Sequence, residues 1–340
     1  MREGAKVSVI RDVMPEFELL QPTTVDDAVQ LLARHGRDAW VLAGGLDSLD
    51  WFKDRVKRPR VVVDLSGIPE LKGVRPMPDG GLEIGAMTTL TEVATHPDIR
   101  ERYWVLAEAA SRVASPQIRH QGTIGGNVSQ DTRCHYYRGG LDCYRAGGNT
   151  CYADTPTAQN REHCIFGADR CVAVNPSDTA PALIVLNARM VIRNSRGVRE
   201  VDAEDYFIGP SVDITRMTVL EPGDLLVAIR IPPTWAGARF YFEKVSDRNT
   251  WDFPLVNVAS AMFLRGGVID RIRIAVNGVA ARPMRLTGVE ESVIGEPPNE
   301  DTGELAGQLA IWGARPLNYN HFKVPLMKNL VKRAIRGVEA

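Results

Sequence analysis

The run ASPQIRHQGTIGGN over residues 114–127 and, upstream of it, AGGLDS over residues 43–48 decide how this chain is read. In each, a glycine pair flanked by small polar residues leaves backbone N–H groups unobstructed by side chains, and such a turn can cradle an anion, typically a pyrophosphate. The first follows Ala39-Trp40-Val41-Leu42-Ala43, a short buried-strand signal. A glycine pair also serves as a plain tight turn with positive φ, so neither turn alone decides between the two roles. Neither is a G-x-G-x-x-G dinucleotide fingerprint, and neither is a Walker loop.

Working outward, Thr24-Val25-Asp26-Asp27 opens an amphipathic helix through Leu31 and Leu32 that stops at Gly36. Arg60 to Leu65 and Leu82 to Ala86 read as strands, and Thr89-Leu90-Thr91-Glu92 caps another helix. Leu106 to Val113 is helical in pattern and is broken by Ser115-Pro116-Gln117. In the last third, Arg239 to Val245, Val256 to Leu264 and Val268 to Val276 alternate as strands, the second and third joined by Arg265-Gly266-Gly267 as a hairpin turn. Glu304 to Trp312 and Val324 to Ile335 close the chain as helices. The expected organisation is residues 1–70, 71–232 and 233–340, with a boundary at Pro232-Pro233.

The 340 residues are 44% apolar and 24% charged, which excludes disordered, collagen-like and disulfide-framework classes. A net charge of −1 without basic runs gives no footprint for nucleic acid. The longest apolar region, around Ala180 to Ile192, is interrupted by Asn187 and Arg189 and reads as a buried element, so no membrane span is expected. Arg11, Asp12, Pro15 and Glu16 break any signal-peptide core, and the expected address is cytoplasmic, with a periplasmic one open through co-export with a partner. No positioned carboxylate pair and no Ser-His-Asp order marks a hydrolase, so no catalytic residue is assigned.

All five cysteines fall between Cys134 and Cys171, in a stretch rich in Gly, Arg, Tyr and Asn without helical or strand periodicity. A loop this long inside a compact chain is functional or disordered, not a mere connection. Its spacing contains no C-x-x-C, which argues against zinc ribbons, thioredoxin-like pairs and c-type haem. Four thiolates drawn from one loop are what a [4Fe–4S] cluster requires.

The two glycine turns, NPSDTAPAL over residues 175–183, LLVAIRIP over 225–232, FEKVSDRNTWDFPLV over 242–256 and NGVAARPMR over 277–285 stand in one order. Together they resemble the flavin (medium) subunit of the molybdenum hydroxylases, the xanthine dehydrogenase and carbon monoxide dehydrogenase family. The resemblance implies an α+β fold: a vanillyl-alcohol-oxidase (PCMH)-type FAD-binding domain of two subdomains, followed by a smaller α+β C-terminal domain. It places FAD against Val41, Leu42, Ala43, Gly44, Gly45, Leu46, Asp47 and Ser48, and against Thr123, Ile124, Gly125, Gly126 and Asn127. Asp178, Leu226 and Lys244 match further flavin positions, and Val113 a weaker one. On the residues alone, Asp178 reads as a helix N-cap and Lys244 as a solvated strand lysine. Leu46-Asp47-Ser48 departs from relatives, which often carry Thr or Gln-Ser after the glycines.

The cysteine segment, about residues 131–172, resembles the [4Fe–4S]-carrying insertion in flavin subunits of 4-hydroxybenzoyl-CoA reductase and of a periplasmic aldehyde oxidoreductase. That likeness implies Cys134, Cys143, Cys151 and Cys171 as ligands and leaves Cys164 as a buried thiol. Arg133, Arg138 and Arg145 are then available to offset the cluster's charge. It further implies a large subunit holding the molybdopterin cofactor, a small subunit with two [2Fe–2S] clusters, and an external electron acceptor or donor. Two other readings are a self-sufficient FAD-dependent oxidoreductase and a zinc-stabilised interaction subunit.

Overall fold

A computed structural model of the chain describes residues 14–337. Arg11 and Asp12, used above in reading the N-terminus, lie outside the described residues.

The first layer consists of β1 (Glu18–Leu20), α1 (Val25–His35), β2 (Ala39–Leu42), α2 (Ser48–Lys53) and β3 (Val61–Asp64), the strands lying parallel in the order β1-β3-β2. Helix α1 forms where its caps predict. Thr24 Oγ1 accepts the Asp27 N–H at 3.1 Å, and Gly36 ends the helix at φ +50°. Its buried face, Val25, Ala28, Val29 and Leu32, packs with Val61 and Val63 of β3.

The second layer begins with β4 (Val74–Pro76), β5 (Leu82–Gly85), α3 (Leu90–Thr95), α4 (Pro97–Arg102) and α5 (Trp104–Ser111). It continues with α6 (Pro116–Gln121), α7 (Ile124–Ser129), α8 (His135–Arg138), α9 (Ala180–Val185), β6 (Arg189–Asn194), β7 (Gly197–Asp202), α10 (Ala203–Tyr206) and β8 (Leu225–Ile231). Its sheet is antiparallel in the order β4-β5-β8-β6-β7. Two local readings change here. Ser115-Pro116 ends one helix and also starts α6, because proline suits the first helical position and Ser115 Oγ accepts the Ile118 N–H at 3.4 Å. The apolar region from Ala180 to Ile192 is a helix followed by a strand, divided at Asn187, whose φ is +56°.

The third layer holds β9 (Arg239–Val245), β10 (Val256–Arg265), β11 (Val268–Asn277), β12 (Met284–Arg285), α11 (Thr287–Val293), α12 (Glu300–Ala310) and α13 (Lys323–Arg336). The antiparallel order is β12-β11-β10-β9. Both faces of this sheet are buried, with different residues. Ala259, Ala261 and Ala275 face the core of the second layer, while Val258, Met262, Ile272, Ile274 and Val276 pack with Leu330, Val331 and Ala334 of α13. Gly266 and Gly267 turn the hairpin at φ +61° and +86°. No described helix is long and apolar enough to cross a membrane.

Candidate functional site

The two glycine turns meet. A Cβ on Gly44 would lie 2.3 Å from the carbonyl oxygen of Gln121, so only glycine lets β2 run this close to the segment entering α7. Gln121 Nε2 closes the contact by donating to Gly44 O at 2.8 Å, and Gly45 takes φ +79°. Among the described residues, the amides of Gly44, Gly45 and Leu46 donate to no protein acceptor, which leaves three N–H groups for an anion. The second turn differs from the expectation of an open cradle. Residues 124–129 are helical, and the amides of Ile124, Gly125, Gly126 and Asn127 go to Thr88 O, Ala86 O, Thr123 Oγ1 and Thr123 O. Gly125 is needed because a Cβ there would lie 2.7 Å from Ala86 O. The free donors therefore come from the first turn, and the second supplies a close-packed wall. Val41 and Ala43 pack with the first layer's core, and the Ser48 hydroxyl is held by Trp40 Nε1 at 2.9 Å.

A buried polar network joins that wall to the Ser-Asp motif. Asn127 Oδ1 accepts from Ser177 Oγ and Thr179 Oγ1, each at 2.7 Å. Asp178 is not the cap of α9: Ser177 Oγ takes the Ala180 N–H at 3.2 Å, and the Asp178 carboxylate instead accepts from Lys244 Nζ at 2.7 Å and Asn257 Nδ2 at 3.2 Å. Burial pushes the Asp178 carboxyl up to about 6 against the pull of Lys244. Lys244 is buried, not solvated, and spends its remaining donors on Arg112 O and Asp252 O. Val113 and Leu226 sit in the apolar core of the second layer. Sequence reasoning missed Asn175, Asn257 and Asn277. Asn277 Nδ2 donates to Asn175 Oδ1 and Ser177 O, while the Oδ1 atoms of Asn257 and Asn277 are buried without partners. The signal was present for two of them, since Asn257 and Asn277 place an amide in the apolar strands β10 and β11, whereas Asn175 lies in the irregular segment before α9.

The cysteine segment is irregular apart from α8 and one turn at Tyr144–Ala146, as its composition indicated. All five cysteines are free thiols. Among the described residues no three His, Cys, Asp or Glu side chains converge on a single-ion site. The thiols are nevertheless electrostatic neighbours: Cys134 feels Cys171 and Cys151, and Cys171 feels Cys151 and Cys143. Burial pushes Cys134 up to about 12, so its thiolate forms only with cationic compensation. Arg145 offers some to Cys171. It is buried against Asp131 and Ile214 O, it pulls down against the burial that on balance raises Cys171, and its Nε has no acceptor among the described residues. His163 Nε2 lies 3.3 Å from Cys134 Sγ, and burial, with His135 and Lys323 nearby, lowers its imidazole to about 4. Cys164 is also buried near Cys151 and Cys171 and is pushed up to about 12 by that burial.

Arg133 and Arg138 do something else. Both donate to Asp47 Oδ1 in the first glycine turn, and Trp51 Nε1 donates to Asp47 Oδ2 at 3.1 Å. Arg138 also lies 3.9 Å over the Trp51 ring, which packs 5.3 Å from Tyr137. One apolar cluster contains Trp51, Tyr137 and Cys143, with Leu42, Leu49 and Cys134 packed against it. The cysteine loop is thus fastened to the first glycine turn.

Residues 15–234 match the family described as FAD binding domain in molybdopterin dehydrogenase, and residues 241–338 the CO dehydrogenase flavoprotein C-terminal domain. The chain is 30% identical to the carbon monoxide dehydrogenase medium chain of Hydrogenophaga pseudoflava, over 96% of this chain and 99% of that one. It is 31% identical to the aldehyde oxidoreductase FAD-binding subunit PaoB of Escherichia coli, over 91% and 94% of the two chains. Among solved structures, carbon monoxide dehydrogenase from Hydrogenophaga pseudoflava superposes with a TM-score of 0.75 at 30% identity, covering 95% of this chain and 97% of that one. Reconstituted CO dehydrogenase from Oligotropha carboxidovorans superposes with a TM-score of 0.76 at 25% identity, covering 95% and 97%.

Proposed function

The chain belongs to the FAD-binding medium subunits of the molybdenum hydroxylases, and on that premise we propose that it relays electrons through FAD and a [4Fe–4S] cluster, while substrate reacts on a partner subunit. The observation that carries this reading is the Asp47 clamp, in which two arginines of the cysteine loop hold the turn whose Gly44, Gly45 and Leu46 amides have no protein acceptor among the described residues.

The residues fit the groups assigned to them. The unpaired amides of Gly44, Gly45 and Leu46 would hold the pyrophosphate, and the orphaned Asn257 Oδ1 beside Asp178 offers a buried acceptor for a donor the protein does not supply. A carboxylate in a phosphate-binding turn would repel its ligand. Asp47 avoids this because Arg133 and Arg138 leave the trio with one net positive charge. Cys134, Cys143, Cys151 and Cys171 would hold the cluster, with Arg145 offsetting its negative charge at Cys171. When bound, FAD takes up electrons in pairs and releases them singly, and the cluster passes one at a time. The apolar cluster of Trp51, Tyr137 and Cys143 would keep water out of the contact between the cysteine loop and the first glycine turn. The partners in this proposal are a molybdopterin-binding large subunit, a [2Fe–2S] small subunit and an external electron acceptor or donor.

The test is oxygen-free purification of the native assembly with cofactor analysis and identification of the co-purifying chains. One FAD and about eight iron atoms per three-subunit assembly are expected, about four from this chain's cluster and about four from the small subunit's two [2Fe–2S] clusters, whereas about four in all would remove the [4Fe–4S] cluster from the relay. Zinc without flavin absorbance would replace the relay with a zinc-stabilised subunit, and substrate turnover by the isolated chain would replace it with a self-sufficient oxidoreductase.

A further inference from the structure

We propose that His163 is a positioning residue for electron transfer, donating its Nε2–H to the Sγ of Cys134 and so raising the reduction potential of the cluster. The inference rests on the reading of residues 134–171 as a cluster loop and adds a role to a residue that reading leaves without one.

The geometry is specific. His163 is 3% exposed, so no solvent alternative competes for its ring. Nε2 lies 3.3 Å from Cys134 Sγ, within the range for a hydrogen bond to sulfur, and Nδ1 has no partner. Among the described residues this is the one side-chain hydrogen bond to any cysteine sulfur. A neutral imidazole carries one N–H, and an iron-bound thiolate is an acceptor without a proton of its own. With the proton on Nε2 the ring donates to the charged sulfur. With it on Nδ1, a lone pair would face that sulfur and a buried N–H would face nothing.

The ring is also held in place. The His163 N–H donates to Asn160 O at 3.1 Å, and its carbonyl accepts from Asn320 Nδ2 at 3.0 Å. The His135 and Tyr136 rings stand 5.8 and 6.4 Å away. A donor aimed at a ligating sulfur stabilises the more negative, reduced cluster over the oxidised one, which is how outer-shell hydrogen bonds shift potentials. The contact is confined to Cys134, so it biases one corner of the cluster.

The experiment is an EPR-monitored redox titration of the full assembly, purified without oxygen, in wild-type, His163→Gln and His163→Leu forms, with iron and FAD quantified in each. His163→Leu is expected to keep its iron while the reduced-to-oxidised ratio of the cluster at a fixed ambient potential falls about tenfold, a lowering of ~59 mV for a one-electron couple. His163→Gln, whose amide also donates, is expected to recover most of that shift, and the flavin potential to stay unchanged in both. An unchanged cluster potential in iron-replete His163→Leu overturns the proposal. Loss of iron from both variants with FAD retained also overturns it, because His163 would then be a ligand. Pulsed EPR on the wild type with 15N-histidine needs no mutation: a weak 15N coupling to the reduced cluster supports the N–H···S contact, and its absence overturns it. Wild-type protein with no cluster signal at all defeats the cluster-loop reading itself, a result distinct from the others.

Discussion

Replacing Asp47 separates two physical accounts of the first glycine turn. Its carboxylate takes one guanidinium bond from Arg133, one from Arg138 and the indole N–H of Trp51. Hydrogen bonds to charged groups contribute ~1.5–3 kcal/mol each when buried. The Asp47 side chain is 24% exposed, so solvent screening puts each bond at the lower end of that range. Asp47→Asn keeps one acceptor oxygen and loses the charge, for a cost of about 1–2 kcal/mol, and Asp47→Ala leaves two guanidinium groups unpaired, for about 3 kcal/mol. On the proposed site, in which FAD takes the clamped turn, the population lost to the unclamped form appears in the apparent Kd. With tenfold per 1.4 kcal/mol, Asp47→Asn should weaken FAD binding about tenfold and Asp47→Ala up to about a hundredfold. A purely electrostatic account gives the opposite sign, since removing a negative charge beside a pyrophosphate tightens binding. Titrating apoprotein with FAD by fluorescence reads the sign directly, and a cycle with Arg138→Gln reads the coupling. Equal or tighter binding by Asp47→Asn would refute the clamp.

Cys143→Ser should lower iron per chain while FAD stays bound, whereas Cys164→Ser should change neither; loss of iron from Cys164→Ser, by metal analysis, would overturn the ligand assignment. Gly44→Ala drives a methyl to 2.3 Å from Gln121 O, so it should lose FAD and about 2–4 kcal/mol of stability in urea titrations. Gly288→Ala, with nothing within 4 Å, is the silent control. Lys323 is 0% exposed, donates to Glu162 O and Gly278 O, and burial lowers it to about 7 from an ordinary 10.5. A base depressed on folding keeps fewer protons in the folded than in the unfolded chain between those values, so its stabilising contribution is present above 10.5 and lost as pH falls through 7. Wild-type stability should therefore rise by about 2 kcal/mol between pH 7 and pH 9, and Lys323→Met should flatten that rise in urea midpoints at the two values.

Where local chemistry and tertiary packing agree, the fold can be read from residues. Thr24 and Thr89 cap the helices that their side chains announce, and the Thr89-Glu92 capping box is complete. Strands β10 and β11 alternate because both faces of their sheet are buried by unlike partners. Where packing overrides propensity, reading fails. Gly125 and Gly126 look like an open turn but are helical, since Thr123 caps the helix and only glycine fits against Ala86. Strands β6 and β7 were hidden because their outward residues are charged and find partners far away, as when Arg230 of β8 pairs with Glu83 and Glu200.

The site shows the same division more sharply. Glycine turns, the Ser-Asp motif and the cysteine cluster are local words, and they were legible as such. The relation among them was not, because Asp47 meets Arg133 and Arg138 across 86 and 91 residues of sequence. On the proposed function, that pairing accounts for the unusual Leu46-Asp47-Ser48: an acidic residue is tolerable in a phosphate-binding turn only when something basic reaches it, and here the basic groups come from the cysteine loop. It also divides the three arginines that sequence alone assigned to a single task. Two of them fasten the loop to the first glycine turn, and Arg145, with a buried Nε lacking any acceptor among the described residues and Cys171 beside it, is left as the charge that a negatively charged cluster would meet.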